Sequence, residues 1–224
     1  MGQRHNDIRN DLEAPPKINL NTIMQFISRP SWCLNMMTAK KLNFGNIMGH
    51  VTNVTNLASL ASWTADQFDP TLTWEDIAWI KERWKGKLIL KGIMDSEDAM
   101  LAVKAGADAI IISNHGGRQL DGAPSTISVL PEIVDAVNSK VEVHFDGGVR
   151  SGQDVLKALA LGADCIHIGR PYVYGLGAKG QEGVEIAIEI IKKELDLTMA
   201  MCGETNISNV GLHNLYHNPF KIIN

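Results

Sequence analysis

From about residue 87 onward the chain alternates short apolar runs rich in Ile and Val with stretches of helical period, a pattern that predicts a parallel α/β sheet covered by helices. Four strands are expected: Lys87 to Lys91 (KLILK), Ala109 to Ser113 (AIIIS), Val141 to Asp146 (VEVHFD) and Cys165 to Gly169 (CIHIG), each followed by a glycine-containing turn. Helices are expected to begin near Ser96, Thr126 and Gly152. A last one runs from about Gly183 to Leu197, where Val184, Ile188 and Ile191 repeat at helical spacing. Ahead of the first strand, Thr73 with Asp76 three residues on predicts an N-cap, leading into a helix whose Ile77, Ile80 and Trp84 share a face.

An internal repeat sharpens this picture. AVKAGADAIIIS at 102–113 and ALALGADCIHIG at 158–169 match in helix end, Gly-Ala-Asp turn and strand, at an offset of 56 residues or two βα units. Gly106 and Gly162 fall where a helix ends on a left-handed residue. A repeating βα unit is what a (β/α)8 TIM barrel requires, and about four units are visible, so residues 73–224 are expected to be the C-terminal βα units of such a barrel. Residues 1–72 carry Pro15-Pro16, Arg29-Pro30 and many Asn and Thr, which predicts an irregular segment: an active-site cover, a docking segment or a disordered stretch. The apolar patches around Phe26, Trp32, Met36 and Met37 are open to a membrane surface or a partner, with core or interdomain packing the expectation.

Composition narrows the classes. With 45% hydrophobic and 21% charged residues the chain reads as one ordinary soluble domain, and a formal charge of −4 with scattered Lys and Arg gives no reason to expect a nucleic-acid partner. Cys33, Cys165 and Cys202 lie far apart without a CxxC, and the histidines show no HxH or HExxH, so neither a disulfide framework nor a metal site is expected. His144 and His167 alternate with apolar residues on strands and are read as structurally satisfied. The polar start MGQRHNDIRN is unlike a signal peptide and no run nears the roughly 18 apolar residues of a membrane span, which makes a cytoplasmic location the expectation.

The most informative stretch is SNHGGRQLDG at 113–122, directly after a strand, at the mouth where barrel active sites are built. A histidine at 115 is the residue type most often used as a base, Arg118 offers a fork for a carboxylate, and the paired glycines let backbone approach a ligand. An isolated His and Arg would instead satisfy loop carbonyls; within this motif the chemical reading is the expectation. The loops DGGVRSG at 146–152 and IGRP at 168–171 each follow a strand and open a helix, so they read as phosphate cradles supplemented by Arg150 and Arg170. Lys91 ends the strand in LILKG, either as a fixed cation at the barrel mouth, suited to an anionic electron sink, or as a surface amine.

LILKG, SNHGGRQLDG, DGGVRSGQDVLKALALGA and GRP, in this order and spacing, resemble the FMN-dependent α-hydroxy acid dehydrogenase and oxidase family from about Thr71 to Asn209. RPSWCLNMM and FDPTLTWEDI look closest to its bacterial L-lactate dehydrogenase branch. The resemblance implies an FMN cofactor and oxidation of an L-2-hydroxy acid, foremost L-lactate, to the 2-oxo acid. It implies His115 as the base and Arg118 with Arg4 (in GQRHNDIRN) as carboxylate ligands. Lys91 would sit at the flavin N1/O2 edge and Ser113 against the same ring. Asp146, Gly148, Arg150, Gly169 and Arg170, with Gly147 and Val149 in the same loop, would hold the ribityl chain and phosphate. Whether His115 takes the C2 proton or the hydroxyl proton stays open, as does the acceptor: oxygen, a quinone or a cytochrome.

Against the family pattern the first barrel half is missing, and with it the aromatic substrate contacts and the Asp that orients the catalytic His. A fragment, a truncated product and a half-barrel that completes itself by association are all compatible with this, and exposed sheet edges make a homo-oligomer the expectation. The alternative to an oxidoreductase is a phosphate- or FMN-binding half-barrel without redox activity. Peripheral contact with the inner membrane through residues 20–60 is also open.

Overall fold

A computed structural model describes residues 9, 19–39, 47, 57–67 and 69–216, which fall into two compact units, residues 1–71 and 72–224. In the first unit the described residues include three helices: α1 (Leu20–Ile27), α2 (Pro30–Thr38) and α3 (Leu57–Asp66). This departs from the irregular segment expected there, because two of its loop signals are helix starts. Asn19 Oδ1 accepts the Thr22 N–H at 2.9 Å and so caps α1, and Pro30 stands at the start of α2, where its missing N–H costs nothing. Phe26 and Trp32 stack with ring centroids 5.5 Å apart, and both are exposed, as are Met36 and Met37.

The second unit begins with α4 (Trp74–Arg83), entered through Thr73, whose N–H donates to Asp76 Oδ2 at 2.7 Å as its sequence spacing predicts. Four parallel strands follow in the order of the chain: β1 (Ile89–Ile93), β2 (Ala109–Ile112), β3 (Glu142–Phe145) and β4 (Cys165–Ile166). They are connected by α5 (Ser96–Lys104), α6 (Thr126–Val137) and α7 (Gly152–Ala160), the right-sized crossovers for a parallel sheet. β1 lies two residues later than KLILK suggests, and β4 is shorter than CIHIG suggests, although the His167 N–H still donates to Phe145 O at 2.8 Å.

The sequence repeat has one physical cause at each copy. Gly106 (φ 81°) and Gly162 (φ 99°) end α5 and α7 in the left-handed region. The N–H of Gly106 reaches Val103 O at 3.0 Å while that of Ala107 reaches Ala102 O at 3.1 Å; Gly162 to Leu159 O (2.9 Å) and Ala163 to Ala158 O (3.1 Å) repeat the pair. These double bonds satisfy the last carbonyls of each helix and turn the chain into the next strand.

Strand side chains alternate between two faces. Ile110, Ile112, Val143 and Phe145 are buried against Leu130, Ile133, Val137, Val155 and Ala158 of the helices, and each large side chain so placed contributes about 1.5–3 kcal/mol. The opposite face carries Lys91, Ile111, His144 and Cys165 in one register row.

After β4 the helix expected from 183 to 197 is present and longer, as α9 (Gln181–Met201), and it is preceded by a helix that was not expected, α8 (Arg170–Lys179). The glycines that hide α8 in the sequence are what pack it: a β-carbon on Gly175 would stand 2.2 Å from Gly183 O, and one on Gly183 would stand 1.9 Å from Gly175 O. The two helices therefore meet backbone to backbone.

Candidate active site

The strand ends of β1, β2 and β3 bring three expected residues into contact. Lys91 Nζ donates to both Ser113 Oγ and Asp146 Oδ2, and Ser113, fully buried, also accepts the His115 N–H at 3.2 Å. Lys91 is thus held in place at the strand ends, and is no loose surface amine. A bulge where β1 pairs with β2 sets Gly92 at φ 103°, and a β-carbon there would come within 3.9 Å of His115 Cε1, so the His115 ring lies against the end of β1.

The His115 loop is shaped by Asn114. Its Oδ1 accepts the Gly117 N–H at 3.0 Å and its Nδ2 donates to Pro124 O at 3.1 Å, closing a turn in which His115 (φ 55°), Gly116 (φ 69°) and Gly117 (φ 74°) are all left-handed. Glycine takes that region without strain, whereas His115 is held in it by the bonds on either side. Gly147 is equally constrained: at φ 105°, a β-carbon would stand 2.6 Å from Thr126 Oγ1.

These loops enclose a cavity of about 310 Å³. His115, Gly116 and Arg118 form one side, the 146–150 loop another, and Gly169 with Arg170 the end, where Arg170 Nη2 donates to Gly116 O at 3.4 Å. Lys91 and Ser113 stand behind the lining and reach it through Asp146 and the His115 backbone. Arg4 lies outside the described residues.

Two helix N-termini border the cavity, and they differ. The first turn of α7 is already satisfied: Asp154 Oδ2 accepts the N–H groups of Arg150 (3.0 Å) and Ser151 (3.1 Å), Ser151 Oγ accepts that of Asp154, and Glu194 Oε2 on α9 accepts that of Gly152 at 3.0 Å. The start of α8, at Gly169 and Arg170, has no side-chain cap. Of the two loops expected as phosphate cradles, DGGVRSG thus opens a helix whose first turn is capped by side chains, and GRP opens one without a side-chain cap. Ser151 and Asp154 form a capping box, and Glu194 reaches the same helix start from α9 without any local sequence signal.

His167 also lines the cavity, and its pKa is held below the ordinary histidine value, first by burial and then by the charge of His144. Beneath it, His144 Nδ1 lies 3.1 Å from His167 Nε2, and Cys165 Sγ joins them in a group whose donor atoms are all within 4.8 Å. Sequence spacing hid this group because its members come from neighbouring strands.

Three comparisons bear on what such a site does. A family model described as FMN-dependent dehydrogenase matches residues 1–217. The chain is 41% identical over 219 residues to an L-lactate dehydrogenase of Stenotrophomonas maltophilia, covering 97% of this chain and 58% of that protein. It is 39% identical over 215 residues to one of Vibrio cholerae, covering 96% and 57%. Among solved structures, the monotopic membrane protein (S)-mandelate dehydrogenase superposes with a TM-score of 0.86 at 33% identity, over 94% of this chain and 55% of the other. Mandelate oxidase with (S)-4-hydroxymandelic acid gives 0.64 at 46% identity, over 67% and 42%. The chain thus spans a little over half the length of the curated relatives it matches.

Proposed function

Because the chain belongs to the FMN-dependent dehydrogenase family, we propose that its second unit supplies the FMN-phosphate cradle, the base and a carboxylate clamp of an enzyme that oxidises L-2-hydroxy acids, with L-lactate the first candidate. The observation that carries this reading is one cavity bordered by His115, Arg118, Arg150, Arg170 and the uncapped start of α8. Its residues fit the cofactor. The volume is at the low end of ligand pockets, about 300–1,000 Å³, which suits the phosphate and ribityl end of FMN. Guanidinium groups and free helix-start N–H groups are the donors a dianionic phosphate takes.

Bound there, FMN supplies the acceptor for the two electrons that leave C2 of the substrate. Arg118 pairs with the substrate carboxylate and orients C2, since a guanidinium matches a carboxylate through two parallel hydrogen bonds. His115 accepts the proton released during oxidation at an imidazole nitrogen, the role of a general base. Lys91, fixed by Ser113 and Asp146, keeps positive charge at the strand ends, where it favours an electron-rich ring. Arg4 is the second carboxylate ligand in this reading.

The test is anaerobic addition of L-lactate to the FMN-loaded chain, with His115→Gln alongside. Loss of the visible flavin absorption in the parent, and not in the variant, supports the assignment. Equal bleaching in both, or flavin that never bleaches, overturns it.

Among the described residues no helix is long and apolar enough to cross a membrane. We extend the proposal to peripheral membrane contact through α1, where Leu20, Ile23, Met24 and Ile27 recur at helical spacing and are all exposed. Absence of the protein from floated anionic vesicles would refute it.

A further inference from the structure

We infer that His144, Cys165 and His167 form a binding site for a borderline-soft divalent cation of the zinc type, on the sheet face opposite the helices. Two imidazoles and a thiol are the donors such an ion selects. His144 on β3 pairs directly with Cys165 on β4, and His167 follows just past the end of β4, where its N–H still donates to Phe145 O at 2.8 Å. A tetrahedral site with bonds of about 2.0–2.1 Å to nitrogen and 2.3 Å to sulfur separates two nitrogens by about 3.3 Å and a nitrogen from sulfur by about 3.6 Å. The observed 3.1 Å between His144 Nδ1 and His167 Nε2 lies close to the nitrogen spacing, and with all donor atoms within 4.8 Å of one another the Cys165 Sγ needs to close in by about 1 Å at most.

A further contact sets His144 up as a ligand. Its Nε2 lies 3.2 Å from Glu142 Oε2, so Nε2 carries the proton that the carboxylate accepts, and the Nδ1 lone pair is directed at His167. A carboxylate behind a histidine in this way fixes the tautomer and raises the basicity of the ligating nitrogen. Without metal, His167 Nε2–H donates to His144 Nδ1 and the pair is satisfied. On binding, Cys165 releases its thiol proton to solvent, the His167 proton moves to its Nδ1, and a water completes the fourth position. The ion would tie the two-residue β4 to β3 directly beneath the cavity end at Gly169.

The probe is Co2+, titrated anaerobically into the full 224-residue chain without FMN. The expected result is one equivalent bound with a thiolate-to-cobalt charge-transfer band that Zn2+ abolishes by displacement. Cys165→Ser should lose that band, and Cys202→Ser should keep it. Glu142→Gln, at an exposed side chain whose change leaves the core intact, should keep the band while affinity falls about 10–100-fold. A folded chain that shows no saturable cobalt absorption, or a band that survives Cys165→Ser, overturns the site.

Discussion

The carboxylate of Asp164 accepts the backbone N–H of Val143 at 2.8 Å, across the start of neighbouring strands. One repeat earlier, Asp108 does the same for Leu88 at 2.9 Å. This is why the Gly-Ala-Asp triplet recurs: glycine ends the helix, and aspartate takes the first free donor of the preceding strand. Asp164→Ala leaves the Val143 N–H without that partner, and stability should fall by about 1–3 kcal/mol, read as a lower urea midpoint at unchanged slope.

Asp108 adds a pH dependence. Lys81 Nζ at 2.6 Å, the Leu88 N–H and Lys87 Nζ at 3.0 Å together hold its carboxyl well below the usual carboxylate range. A carboxylate whose pKa is lower folded than unfolded contributes stability above its unfolded pKa, and that contribution is lost as pH falls through the folded value. The urea midpoint should therefore drop between about pH 4 and pH 2, and Asp108→Asn should flatten this acid limb while lowering the midpoint at neutral pH.

Two glycines of one helix should respond with opposite sign. Gly175→Ala drives a methyl group into the Gly183 backbone and should cost about 1–3 kcal/mol or more, whereas Gly177, with nothing within 4 Å of a new β-carbon, should gain about 0.5–1 kcal/mol as alanine in α8. Thermal unfolding of the two variants checks the pair. A common sign would mean that α8 and α9 do not pack closely at Gly175.

Much of this was legible because the features are local. Ile and Val runs marked the sheet, glycines marked the helix ends, and the motif at 113–122 marked the cavity rim. What stayed hidden depends on contacts distant in sequence. The glycines of α8 lower helix propensity and become intelligible only against Gly183. Glu194 occupies the α7 N-terminus from a helix 42 residues away. The His144, Cys165 and His167 group exists only once β3 and β4 are in register. In the first unit, Pro30 and Asn19 carry the same chemistry in a loop and at a helix start, so composition alone could not separate the two.

The cavity should discriminate among anions by its arginines. Arg150→Gln removes one charged donor and should weaken FMN about tenfold or more, with little change for riboflavin, since a hydrogen bond to a charged group is worth about 1.5–3 kcal/mol. Flavin fluorescence titration of parent and variant gives both affinities. A proportional loss for the two ligands would place Arg150 away from the phosphate.

The most direct test of the central claim is the affinity of the unmodified chain for FMN against riboflavin, which differs by the phosphate alone. If the start of α8 and its arginines form the phosphate cradle, FMN should bind at least about tenfold tighter, with an advantage that shrinks as salt is added. Equal affinity, or no binding of either flavin, would contradict the assignment of this cavity.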